Sequence, residues 1–163
     1  MLVMGILNVT PDSFADGGKH NDFEAAVARG LEMIAEGVDI IDIGGESTRP
    51  GAERVSEEEE IARTIPVITE LAKHGTPISI DTMRSRTAEA AIKAGASIIN
   101  DVSGGLADPE MLQTAARLKV PYIAMHWRGQ SKDMNSKAIY GDVVSDVISE
   151  LNERIEAALD AGI

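Results

Sequence analysis

The segment Gly44-Gly45-Glu46-Ser47-Thr48-Arg49-Pro50-Gly51-Ala52 gathers glycine-freed backbone N–H groups, two hydroxyls and one guanidinium. Those are the parts of an anion cradle. Close packing at Gly44-Gly45 is the plainer alternative. A second polar stretch, Val9 to Lys19, mixes turn formers with Asp12, Asp16 and Phe14. An aromatic in so polar a loop is better explained by a ligand or lid contact than by a solvated flap. Both stretches exceed the roughly two to six residues that usually join a strand to a helix, and long connections tend to be functional. A third set is dispersed. Asn8, Asp42, Asp81, Asn100 and His126 each stand at or near the end of a short apolar run. Taken singly, each could cap a helix or satisfy loop backbone. Together they point at one mouth. Asp42 is the weakest member, because Ile43 and two glycines follow it and it can lie inside a strand.

Such a set needs strands that end side by side. The runs Val3 to Val9, Val38 to Ile43, Pro77 to Asp81, Ser97 to Val102 and Pro121 to Met125 are short and largely without in/out alternation. That is the pattern of parallel strands covered on both faces. Amphipathic segments separate them. Phe23, Val27, Leu31 and Ile34 recur at helical spacing, with Glu24, Arg29, Glu32 and Glu36 off that stripe. Ser56 and Glu59 form a capping-box pair, and the acidic run Glu57 to Glu60 suits a helix start. Pro66 predicts a kink or a division into two short helices. Asp108-Pro109 predicts the opening of a fourth helix, and a fifth is expected over Val143 to Ala161.

Strands alternating with helices give a parallel sheet with right-handed crossovers. An open dinucleotide-binding fold calls for G-x-G-x-x-G after the first strand, and Asn8-Val9-Thr10-Pro11-Asp12-Ser13-Phe14 stands there instead. The reading is therefore an α/β chain forming a (β/α)8 TIM barrel, here an incomplete barrel of about five β/α units, with residues 1–163 as one domain. A complete barrel takes about 250 residues.

Composition bounds the partners. The chain has 163 residues, 15 Lys plus Arg against 27 Asp plus Glu, and a formal net charge of −12. Such a charge repels a polyphosphate backbone, and one Trp, two Tyr and two Phe leave little for base stacking, so nucleic acid is not expected as a partner. No cysteine is present, which excludes a disulfide scaffold. No apolar stretch approaches the roughly 20 residues that span a bilayer. A cytoplasmic protein is expected.

The residues also carry a resemblance. Met4-Gly5-Ile6-Leu7-Asn8-Val9-Thr10-Pro11-Asp12-Ser13-Phe14, with Asp16-Gly17-Gly18, resembles the first signature of dihydropteroate synthases. Gly44-Gly45-Glu46-Ser47-Thr48-Arg49-Pro50-Gly51 resembles the second. Ile78-Ser79-Ile80-Asp81-Thr82, Ile99-Asn100-Asp101-Val102-Ser103-Gly104-Gly105 and Met125-His126-Trp127-Arg128-Gly129 follow in the family's order.

The resemblance implies that p-aminobenzoate is joined to 6-hydroxymethyl-7,8-dihydropterin diphosphate with loss of pyrophosphate, for folate synthesis. By the same analogy Asn8 binds Mg²⁺, the implied cofactor, and Asp81 and Asn100 hydrogen-bond the pterin ring. Val102 and Met125 pack the faces of the ring. Thr48 meets the pterin diphosphate, and Arg49 and Pro50, with Phe14, enclose the diphosphate and the aminobenzoate, where sulfonamides compete in the family. Arg49 and Asp81 are the implied catalytic residues. For His126, Trp127 and Arg128, a place at the mouth and a structural hydrogen bond remain two readings.

The family continues with three further units bearing an Asp, a Lys, and an Arg with a His. Their absence from the 163 residues gives the expectation that this chain alone has little or no synthase activity, and that the complete enzyme is a homodimer. Two alternatives stand beside this reading. One is a pterin-binding domain like that of methyltetrahydrofolate:corrinoid methyltransferases, which does not need the diphosphate-binding loops. The other is a non-catalytic assembly module.

Overall fold

A computed structural model describes residues 1–10, 18–47 and 54–163 of the chain. Five strands, β1 (Met4–Asn8), β2 (Ile40–Gly44), β3 (Ile78–Asp81), β4 (Ile98–Asp101) and β5 (Tyr122–Ala124), alternate with five helices. The helices are α1 (Gly18–Glu36), α2 (Glu57–Leu71), α3 (Ser85–Ala94), α4 (Met111–Leu118) and α5 (Val143–Ala161). The strands form one parallel sheet in chain order, β1-β2-β3-β4-β5. Sequential order without a switch point is the arrangement of a barrel wall, as expected from the sequence, and the five units make an incomplete barrel.

Side chains of a strand alternate between its two faces. The outward row packs under the helices: Leu7, Ile41, Ile43, Ile78, Ile80 and Ile99 are buried in the core, with Ala26 of α1, Val67, Ile68 and Leu71 of α2, Ala88 and Ala91 of α3, and Met111 and Ala115 of α4. Each buried Ile contributes roughly 1.5–3 kcal/mol by area removed from water. The inward row is different in kind. It holds Ile6, 65% exposed, together with Asn8, Asp42, Gly44, Ser79, Asp81 and Asn100. One face of the sheet is thus the core and the other is a polar concave wall.

Local signals set the helices, with three departures. α1 turns its small residues Ala26 and Gly30 most deeply inward, and Phe23, Val27, Leu31 and Ile34 flank them. The cause is close approach: a methyl on Gly30 would lie 2.5 Å from Leu71 Cδ1. α2 is capped by Ser56, whose hydroxyl accepts from the Glu59 N–H at 3.1 Å. Of the two outcomes expected at Pro66, the division does not occur, and one helix runs from Glu57 to Leu71. Val67, Ile68 and Leu71 are fully buried just beyond the proline, so packing holds the turn where one hydrogen bond is missing. α4 starts at Met111, later than Asp108-Pro109 suggested. Asp108 caps in two directions instead, accepting from the Ser85 N–H of α3 at 2.7 Å and the Glu110 N–H at 2.9 Å.

Among the described residues no helix is long and apolar enough to cross a membrane. α5 contains no buried residue, and Val143, Val144, Ile148, Ile155 and Leu159 are exposed on it.

Candidate functional site

The pairing register joins the predicted strand-end residues. Asn8 is the partner of Gly44, Gly44 of Asp81, and Asp81 of Asn100. Register partners on parallel strands face the same way, so these positions form one row along the C-terminal rim of the concave wall. Gly44 is the gap in the row. A methyl added there would lie 3.4 Å from Asp81 Oδ2 and 3.5 Å from Asn8 Oδ1, so glycine leaves a space bounded by two oxygen atoms. Gly45 serves packing, since a methyl on it would come within 2.8 Å of Thr64 Cγ2 on α2. Both readings of the glycine pair therefore hold, one for each residue.

The row is electrostatically loaded. Burial, and then the negative charges of Asp42, Glu60, Asp101 and Glu46, push the Asp81 carboxyl up to about 7. Asp42 lies within β2, one inward position below Gly44, and is 5% exposed. Its Oδ2 accepts from Asn100 Nδ2 at 3.0 Å. Asp42 Oδ1, Ser79 Oγ and Asn100 Oδ1 are buried with no hydrogen-bond partner. A buried polar atom without a partner costs on the order of 1–3 kcal/mol. Three of them on one concave wall make a surface suited to a ligand with polar edges.

Behind the row, the two ends of the candidate anion loop are tied down. Glu46 Oε1 lies 2.9 Å from Arg54 Nε, and its Oε2 2.9 Å from Arg84 Nη2. Arg84 also donates to the Val55 carbonyl at 2.6 Å and pairs with Glu60. Glu60, 1% exposed, accepts from Thr82 Oγ1 at 2.6 Å and from Thr87 Oγ1 at 3.2 Å. The acidic run that opens α2 is therefore more than a helix start, because its last member turns inward to hold the loop. The periodicity carried that signal. Glu60 falls in line with Thr64, Val67, Ile68 and Leu71, the buried stripe of the helix.

Next to Asn100, Asp101 points to the other face and builds the following turn. It is fully buried and accepts from the Ser103 N–H and hydroxyl, the Gly105 N–H and the Tyr122 hydroxyl. Burial, with the Asp101 charge beside it, pushes the Tyr122 phenol well up and keeps it a donor. Val102 follows Asp101, half-buried, and Met125 follows β5 at 45% exposure. His126 does not join the row. Its Nε2 lies 2.8 Å from Glu150 Oε2 on α5, which Arg128 also engages, and Arg128 stacks 3.9 Å over the Tyr140 ring. For His126 and Arg128 these contacts favour the structural reading.

Phe14, Thr48, Arg49 and Pro50 lie outside the described residues. A cleft of about 670 Å³ between α1 and α2, lined by Val9, Phe23, Ala62, Arg63 and Pro66 among others, contains no member of the row. Among the described residues no group of three or more His, Cys, Asp or Glu could hold a metal ion. Asn8 Oδ1, beside the Gly44 space, is a hard oxygen donor of the kind that fits Mg²⁺, which commonly takes few protein ligands and completes its shell with water and phosphate oxygens.

Comparison with known proteins gives the family of the chain. The pterin binding enzyme family matches residues 4–163. A dihydropteroate synthase of Bacillus subtilis is 52% identical over 163 residues, covering 99% of this chain and 55% of that protein. A dihydropteroate synthase of Xanthomonas albilineans, solved with 4-aminobenzoic acid, superposes with a TM-score of 0.91 at 51% identity, over 99% of this chain and 57% of that one. A structure of the enzyme from the same organism with 7,8-dihydropteroate gives 0.86 at 46% identity, over 99% and 56%. The chain thus spans a little more than half the length of these relatives. With the family matched from β1 to the last residue, the chain belongs to the pterin binding enzyme family.

Proposed function

We propose that the native protein is a dihydropteroate synthase, joining p-aminobenzoate to 6-hydroxymethyl-7,8-dihydropterin diphosphate and releasing pyrophosphate. The observation that carries this reading is the rim row Asn8, Gly44, Asp81 and Asn100, with the unpaired buried oxygens of Asp42, Ser79 and Asn100 on the same face. A pterin presents an amide and a guanidine-like edge. A carboxylate beside a carboxamide oxygen offers acceptors that match those N–H groups. Asp81, poised about 7, accepts best when ionised, and an N–H-rich ring edge favours that form. Asn100 contributes a second polar contact, while Val102 and Met125 pack the faces of the ring.

Thr48 and Arg49 meet the diphosphate as donors, and Pro50 and Phe14 help enclose it with the aminobenzoate, at the subsite where sulfonamides compete. Asn8 would hold a Mg²⁺ ion, which would supply electrostatic stabilisation to the departing pyrophosphate. The work left to the chain is to orient the pterin methylene in line with the incoming amine and to exclude competing water. Arg49, on a loop tied at Glu46 and Arg54, stabilises charge building on the leaving group. No residue needs to form a covalent bond to substrate. This reading carries with it a cytosolic location and a homodimeric full protein.

The two loop signatures favour this activity over a corrinoid methyltransferase-like role, which does not need a diphosphate subsite. The deciding experiment is pyrophosphate release by the native protein from pterin diphosphate and p-aminobenzoate. Dependence on both substrates, with loss of at least about 100-fold in Asp81→Ala, is the expected result. Protection from proteolysis by methyltetrahydrofolate, and none by the pterin diphosphate, would overturn it.

A further inference from the structure

We propose that Asp42 is a positioning residue of this site, holding the Asn100 carboxamide by its nitrogen so that the amide oxygen is the atom offered to the pterin. The inference rests on the pterin reading of the concave wall. Asn100 Nδ2 donates to Asp42 Oδ2 at 3.0 Å across 58 residues of sequence, and the bond runs from β4 over β3 to β2. Asp42 is 5% exposed and Asn100 8%.

A primary amide has nearly the same shape when turned end for end, but turning it exchanges a donor for an acceptor. Only a neighbour can decide between the two settings. A carboxylate accepts and cannot donate, so it admits the NH₂ end of Asn100 and repels the oxygen end. With Nδ2 engaged, Asn100 Oδ1 is left buried and unpaired. An incoming ring N–H restores the missing bond, and a ligand bearing an acceptor there meets a second lone pair.

Besides this bond, the Asp42 charge is one of those that raise Asp81. Asp42 lies within β2 and not at a helix cap, and among the described residues it forms no salt bridge. An Asn at this position could both donate and accept, and the Asn100 amide would lose its fixed setting.

The test is a double-mutant cycle in the native protein, with 6-hydroxymethylpterin as the calorimetric probe and Tm measured for every variant. Asp42→Asn and Asn100→Ala are each expected to weaken binding about 10-fold or more. In the Asn100→Ala background, at pH 8, where Asp81 is mostly ionised with or without the Asp42 charge, Asp42→Asn should change affinity less than about 2-fold. Losses that simply add would overturn the positioning role, since Asp42 would then act without Asn100. Unchanged probe affinity in Asn100→Ala alone would remove the pterin reading itself, and the inference with it. A measurement on the unsubstituted protein guards against a variant that fails to fold. The Asn100 side-chain amide protons should exchange about 10-fold more slowly than those of a solvated asparagine, and exchange at the solvated rate would also overturn the proposal.

Discussion

Asp81 and Asn100 are register partners at the C-terminal ends of β3 and β4, so their side chains leave the sheet on the same side as immediate neighbours. A carboxylate and a carboxamide set in this way can grip one edge of a heterocycle together. The pairing also places Asp81 where burial and surrounding carboxylates raise its proton affinity.

That raised affinity has a measurable consequence. The unfolded-state carboxyl titrates near 4 and the folded one near 7. Between those values the folded state binds more protons, so Asp81 contributes stability below about pH 4 that is lost as pH rises through 7. Asp81→Asn should therefore be more stable than the unsubstituted protein at pH 8, by on the order of 2 kcal/mol, with the advantage shrinking toward pH 4. Urea unfolding of both proteins at pH 5 and pH 8 checks the sign. Ligand affinity should run the other way, increasing up to about pH 7.

Gly44 separates fold from site. The contacts that a methyl would make there are ordinary ones, 3.4 Å to Asp81 Oδ2 and 3.5 Å to Asn8 Oδ1, and the backbone is not in the left-handed region. Gly44→Ala should leave Tm within about 2 °C while filling the space between the two oxygens, with pterin diphosphate affinity falling roughly 10-fold or more. A large drop in Tm would show that the glycine serves packing.

Arg84 tests the tie behind the loop. Removing it in Arg84→Met leaves Glu60, 1% exposed, without its cation. Breaking one side of a buried pair costs about 3–5 kcal/mol, and Glu46 loses one of its two arginines as well. The double variant Arg84→Met with Glu60→Gln should recover part of that loss in chemical denaturation, because no buried charge is then left alone.

Lys119 is the one non-glycine residue among those described with a positive φ, 56°, and it ends α4 in the left-handed conformation. Helix ends elsewhere in the chain use Gly75, Gly95 and Gly162 for this purpose. Lys119→Gly should stabilise the protein by about 0.5–1 kcal/mol, read as a rise in the denaturation midpoint without a change in slope.

Sequence alone determined the strand runs, the helix over Val143–Ala161, the Ser56 cap and the polar strand ends. Each of these is a local pattern, a run, a period or a cap, in which neighbouring residues carry the information. The family signatures pointed to the same sheet of β/α units. What the chain could not reveal locally was contact between distant residues. Whether Pro66 breaks α2 depended on the burial of Val67 and Ile68. Where Asp108 spends its carboxylate depended on α3 standing beside it. Glu60 read as one of four helix-starting acids until Arg84 and Thr82 met it from another unit.

Asp42 shows the division most clearly. Its place inside a strand was legible and lowered its standing as a site residue, because a strand interior ordinarily faces the core. Only the tertiary register, which puts odd and even positions of β2 on opposite faces and brings β4 within reach across β3, turned it toward the concave wall and Asn100. A one-residue shift of that register would have carried the same aspartate under the helices.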